Sequence, residues 1–196
     1  MFKKIKKKLL TILGDIKIFP WPFFVVYHPE TFAVKGFHTR RAINVLKPGD
    51  IVQRKYKRYL DGFFIPGEFS HTGVYIGDGI VIHAVAEGIV EEDIIDFLRC
   101  DDFRILTVTR AYDRKRAVKR CKKWLGTPYD FDFTSNNEAI YCHELAALAY
   151  EELEVPKIKS TMMKILKTEA AYLSASFDNN KKIKEVLNKK QIDSKL

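Results

Sequence analysis

The sequence predicts an α+β fold: a small antiparallel β-sheet with helices packed on one side. Three observations carry this expectation. Residues 70–76 and 80–86 are β-rich runs around Gly77-Asp78-Gly79, a hairpin signal. The run RKRAVKRCKKWLG places Ala117, Cys121, Trp124 and Leu125 at helical spacing. YCHELAALAYEEL does the same with Cys142, Leu145, Ala146, Ala149 and Leu153.

From the start of the chain, Phe2, Ile5, Leu9, Ile12 and Leu13 recur at helical spacing with lysines between them. They predict an amphipathic helix of about three turns. Packing on the core with a solvated lysine face is the expectation, and weak membrane-surface contact through residues 2–13 is the alternative. FPWPFFVVYHPETF is punctuated by prolines and cannot be a helix interior, so it reads as extended chain wrapping the domain. LKPGDIVQRKY enters a strand from a Pro48-Gly49 turn, and RYLDGFFIPGEF is an aromatic, basic loop. After the hairpin, EEDIIDFL suggests a short helix and DFRILTVTRA a returning strand. Asp113 is placed to cap the next helix and Gly126 to stop it. A polar loop, DFTSNNEA, then leads to the helix that begins near Cys142 and ends before Pro156. One or two further helices and a polar tail complete the chain. The organisation is one globular domain: 1–45 an N-terminal helix and aromatic segment, 46–155 the core, 156–196 a helical extension with a basic tail.

At 196 residues, 46% hydrophobic and 30% charged, the chain suits a single domain with a substantial core. Its three cysteines, Cys100, Cys121 and Cys142, form no CxxC pair. That argues against a disulfide scaffold or zinc ribbon and for a reducing, cytoplasmic setting. No run approaches the ~20 apolar residues of a membrane span. The apolar stretch after the basic start is broken by Thr11, Gly14, Asp15 and Lys17, so it is expected to be retained rather than cleaved. The net charge of +9 lies mainly at the ends, while residues 87–102 are acidic. Basic ends favour polyanions, but no zinc-finger or RNA-binding signature accompanies them, and no specific nucleic acid partner is expected. No HExxH or comparable spacing occurs, so neither metal nor cofactor is expected.

Chemistry concentrates in three residues. Cys142 at a helix start would have its thiol pKa lowered by unpaired amides and the helix dipole, although most lone cysteines are buried structural residues. Cys100 and Cys121 fit that structural role. His71 stands at a strand entrance as a candidate base. A two-residue Asp78-Gly79 turn would put His71 and His83 on opposite faces. A three-residue Gly77-Asp78-Gly79 loop pairs Gly73 with His83 and makes the histidines diagonal neighbours, Cα atoms ~7–8 Å apart. Glu87 shares that face and is the fallback orienting group. Tyr129, in GTPY, could donate to the thiolate or an oxyanion, or simply pack in the core. His143 projects away from the nucleophile, and His28 and His38 have no evident partners.

These motifs resemble a known family. LKPGDIV with SHTGVYIGDGIVIHA is similar to the sheet segment of NlpC-type cysteine peptidases, with His71 and His83 at the base and orienting positions. LGTPYDF and YCHEL resemble the family's GTPY segment and nucleophile helix, matching Tyr129 and Cys142. The nucleophile half comes second here, as in the circularly permuted papain-like YaeF/YiiX branch. His143 stands where a small serine is usual, and His83 where acidic residues are common. The resemblance implies a permuted papain-like fold and a cysteine peptidase or amidase acting through Cys142, His71 and His83, with cell-wall peptides as one substrate class. Related folds act on lipids, so a lipid acyl hydrolase or acyltransferase is the second expectation. A non-catalytic binding or virion-associated structural protein is the third. The substrate would be a peptide or lipid-like amide or ester, and the oligomeric state is not read from the sequence.

Overall fold

The protein is described by a computed structural model over residues 16–19, 24–27, 32–57, 67–133, 138–159 and 170–195. The expected N-terminal helix and the aromatic loop at 58–66 lie outside the described residues. Two compact units are present, residues 1–33 and 34–196. In the first, β1 (Ile16–Phe19) and β2 (Phe24–Tyr27) pair antiparallel with Phe19 opposite Phe24. Within the aromatic run, Phe24–Tyr27 is thus a strand, paired with Ile16–Phe19 at and just before the start of that run.

The second unit is built on a six-stranded sheet. Its strands are β3 (Ile51–Lys55), β4 (His71–Gly77), β5 (Ile80–Val85), β6 (Gly88–Asp93), β7 (Asp102–Val108) and β8 (Ile183–Asn188). They run in the order β6-β5-β4-β3-β7-β8, every neighbouring pair antiparallel. The helices are α1 (Gly36–Val45), α2 (Ile94–Phe97), α3 (Ala111–Lys123), α4 (Cys142–Ala149) and α5 (Lys189–Asp193).

Alternation along the strands divides the core. Ile51, Val74, Ile82 and Leu106 face α3 and α4, packing with Ala117, Cys121, Leu145 and Ala149. Their neighbours Val52, Tyr75, Val81 and Ile105 face the other way, onto Ala42 of α1, Phe97 of α2 and Ile192 of α5. Helices thus cover both faces, not one as the sequence predicted. The pattern of apolar residues on both sides of β3, β4 and β5 requires it, because either face left bare would expose a continuous apolar surface. Among the described residues, no helix is long and apolar enough to cross a membrane.

Several boundaries differ from expectation for local reasons. EEDIIDFL splits: Glu91, Glu92 and Asp93 finish β6, and the Asp93 carboxylate accepts from the Ile95 amide to start α2. α3 begins at Ala111 with Arg110 as N-cap, so Asp113 sits inside the first turn, where its charge still favours the helix dipole. Leu125, expected on the apolar face of that helix, lies past its end and is exposed. The lysine-rich tail forms β8 and α5 instead of helices alone. Ile183 is buried at the start of β8, and His38 of α1 meets Asp193 of α5 at 2.7 Å, fastening that end to the domain.

Candidate active site

The hairpin β4–β5 sets the geometry. Its turn is two residues, Asp78 and Gly79, both at positive φ (54° and 79°), the conformation of a type I′ turn. Alone, that turn would put the histidines on opposite faces. A bulge between Tyr75 and Gly77 restores the offset, and Gly73 pairs with His83. The expected register is present, then, but through a bulge at Ile76 and not a three-residue loop. His71 Nε2 lies 2.8 Å from His83 Nδ1, with the rings edge-on. Phe97 packs against both imidazoles. Gly73, opposite His83, sits where no side chain fits: a Cβ there would fall 2.4 Å from Val81 Cγ1 and 3.1 Å from Phe97.

Two further residues complete this face, and neither was anticipated. Glu92 of β6 lies opposite Val81 and so is diagonal to His83, whose Nε2 is 3.3 Å from Glu92 Oε2. Arg54 of β3 lies opposite His71 and reaches the same Glu92 oxygen at 3.2 Å. It also donates to the Phe97 carbonyl at 2.9 Å and rests over the Phe97 ring. Glu87 is not part of this group. It occupies the exposed turn between β5 and β6 and has no hydrogen bond or ion pair among the described residues. Pairing β6 onto β5 through that turn would have found Glu92 in the sequence, since GIVEED alternates Val90 and Glu92 onto the face of His83.

Cys142 is the first residue of α4, after the N-cap Tyr141, and is buried. Its Sγ is 4.0 Å from the carbonyl oxygen of Ser70, the residue preceding His71. Burial pushes the thiol up to about 11, and the amides of Thr72, His143 and Cys142 itself work against that shift. The helix-start amides do lower the thiol, as expected, but desolvation of the thiolate outweighs them. Cys100 and Cys121, also buried, are pushed up to about 12.

Tyr129 is held where it meets the sulfur. The Ile89 amide of β6 donates to Thr127 O and the Gly126 amide donates back to Ile89 O, while the Ile140 amide donates to Pro128 O. Gly88 permits this approach: at φ +116°, a Cβ there would stand 2.7 Å from Thr127 O. Burial, then the Cys142 sulfur and Asp130, push the Tyr129 phenol well up, and the protonated hydroxyl is hydrogen-bonded to Cys142. His71 is held well below the usual histidine range by burial, then by Arg54, His83 and His143. Burial and Arg54 bring His83 down to about 3. His143 points into the opposite face of the sheet, with Nδ1 2.6 Å from Thr72 Oγ1, and burial with Arg104 lowers it to about 3. It is a neutral, buried group and not a second base.

Residues 45–195 match the family described as permuted papain-like amidase enzyme, YaeF/YiiX, C92 family. Among solved structures, the crystal structure of metalloprotein yiiX from Escherichia coli O157:H7 is similar with a TM-score of 0.63. The match covers 73% of this chain and 97% of that one at 16% identity, a likeness of fold. No curated protein matches. The chain belongs to the permuted papain-like amidase family, and its fold is the permuted papain-like one.

Proposed function

We propose that this member of the permuted papain-like amidases hydrolyses an amide bond through Cys142 as nucleophile and His71 as base, with His83 orienting His71 and Tyr129 donating to the oxyanion. One observation carries the reading. His71 is bonded through Nε2 to His83 at 2.8 Å, which leaves Nδ1 without a hydrogen bond among the described residues. That ring belongs to the strand whose backbone, at Ser70 and Thr72, meets the Cys142 sulfur.

At rest the thiol and the imidazole are both neutral, since burial raises one and lowers the other. Proton transfer therefore accompanies attack. His71 Nδ1 takes the thiol proton as sulfur bonds to the carbonyl carbon, and the carbonyl electron pair moves to oxygen. The Tyr129 hydroxyl and the Cys142 amide donate to that oxyanion. Collapse expels the amine, which takes the proton from His71, and leaves a thioester. Water, deprotonated by His71, then releases the acid and restores the thiol.

The word metalloprotein belongs to yiiX. In this chain the His71 and His83 nitrogens face each other and Glu92, and no group of three or more His, Cys, Asp or Glu among the described residues could hold a metal ion.

A second reading, acyl transfer or hydrolysis on a lipid ester, has one observation in its favour. Phe131 is 65% exposed beside Tyr129, their rings 4.9 Å apart, and offers an apolar edge next to the site. Cell-wall peptides remain the amide class that the family analogy suggests.

A carbonyl-mimicking thiol probe tests both readings, followed by peptide-amide and acyl-ester substrates. Labelling at Cys142, lost in Cys142→Ala and His71→Ala, is expected. His83→Ala should slow acylation by a smaller factor, and Glu87→Gln should leave it unchanged. Fatty acid release without amide cleavage would favour the lipid reading. No labelling by any probe would leave a binding or virion-type structural role.

A further inference from the structure

We infer that Glu92, held in place by Arg54, is a positioning residue that fixes the tautomers of His83 and His71 and so keeps His71 Nδ1 free as the base. The inference rests on the proposed reading only in naming His71 the base; the tautomers themselves are a property of the geometry.

The chain of contacts runs across three strands. Glu92 Oε2 lies 3.2 Å from Arg54 Nη1 and 3.3 Å from His83 Nε2. A carboxylate can only accept. A ring nitrogen facing it at that distance is favoured as N–H and opposed as a lone pair. His83 is neutral in this buried site, so a proton on Nε2 leaves Nδ1 as a lone pair. His71 Nε2, 2.8 Å from that lone pair, must then be the donor. His71 is also neutral, and its own lone pair falls on Nδ1. Two rings thereby carry the preference of one carboxylate to the nitrogen that the mechanism needs unprotonated. Were Glu92 absent, the reverse arrangement would be equally available to the pair. His83 would then donate from Nδ1, His71 would accept at Nε2, and the His71 proton would occupy Nδ1.

Arg54 makes the device rigid. Its guanidinium is buried, bonded to Glu92 and to the Phe97 carbonyl, and stacked on the Phe97 ring that also packs both histidines. Its positive charge also opposes protonation of either imidazole, which keeps the pair in the neutral state where tautomers matter.

The test reads tautomers directly, from two-bond ¹⁵N–¹H couplings in the ¹⁵N-histidine-labelled full chain at neutral pH, assigned with His71→Gln and His83→Gln. Both His71 and His83 are expected as the Nε2–H form. Glu92→Leu should move a measurable share of both to Nδ1–H. Glu92→Gln, which keeps an acceptor without the charge, should restore most of the original form. On a reactive substrate, acylation by Glu92→Leu should fall about twofold, as expected when half the pairs hold the reverse arrangement, far short of the roughly 10⁴-fold that a wrong tautomer throughout costs in a Ser-His-Asp triad. Finding either histidine as Nδ1–H in the native chain would overturn the inference, as would unchanged tautomers in Glu92→Leu. If Glu92→Leu does not fold, the native spectrum and Glu92→Gln still decide. The spectra need no substrate, so an unreactive Cys142 with both tautomers as stated would defeat the proposed function and leave this inference standing.

Discussion

Alkylation of Cys142 as a function of pH tests the neutral resting state. With the thiol at about 11, about one molecule in a thousand carries the thiolate at pH 8, against roughly a quarter for an ordinary cysteine near 8.5. Iodoacetamide reacts with the thiolate, so the pseudo-first-order rate should climb about tenfold per pH unit from 7 to 10, with no plateau in that range. Cys100 and Cys121, at about 12 and fully buried, should react about tenfold more slowly still. Peptide mass spectrometry after timed quenching separates the three sites. A plateau at or below pH 7 would mean a preformed thiolate–imidazolium pair and would refute the balance of burial over the helix-start amides. Faster labelling of Cys100 or Cys121 would remove the site itself. Slow alkylation at neutral pH is accordingly no sign of an inert protein, and the discriminating reagent is one whose carbonyl draws on His71.

Two more outcomes are expected. His83 and His143 are held at about 3 and His71 is lowered as well. Between about pH 3 and 6.5 the unfolded chain thus binds more protons than the folded one, and stability is lost as pH falls through that window. Each fully buried histidine should cost about 2 kcal/mol by pH 5; urea midpoints equal at pH 7.5 and 5 would contradict this. Gly73→Ala would bring a Cβ to 2.4 Å from Val81 Cγ1 and 3.1 Å from Phe97. It should destabilise by about 1–3 kcal/mol, as overpacked cores do, and an unchanged melting temperature would show that Phe97 is not fixed as described.

What the sequence made legible was local. The histidine pair could be read because strand alternation and one turn decide it, and Cys142 because a helix start announces itself through the polar loop before it and the apolar spacing after it. The bulge at Ile76 was hidden because two wrong assumptions about a hairpin can cancel: a shorter loop with an extra residue gives the register of a longer loop without one. Glu92 was hidden because EED reads as the acidic first turn of a helix, and only pairing with β5 holds it in a strand. Arg54 looks like a solvated strand residue until α2 lays Phe97 under it. β8 has a single buried apolar residue, Ile183, and five exposed or half-exposed neighbours, so its strand character comes from the open edge of β7 and not from its own pattern.

The same positive field that fails to ionise Cys142 at rest has a role on the proposed reading. Thr72, His143 and Cys142 aim amides at the sulfur, and Arg54 adds a full charge on the side of the histidines. Burial opposes a resting thiolate because that ion must be desolvated before anything is gained in return. During attack the charge moves from sulfur to the carbonyl oxygen, toward the Tyr129 hydroxyl and the Cys142 amide, while His71 takes up the proton only for the life of the intermediate. Donors fixed before the reaction begins need no reorganisation at that moment, so their stabilisation falls on the transition state and not on the resting enzyme. Arg54 works in both directions here, favouring the anion and disfavouring the imidazolium. An imidazolium so disfavoured returns its proton readily to the leaving amine. A neutral pair within this field therefore suits amide cleavage, in which protonating a poor leaving group is the demanding step.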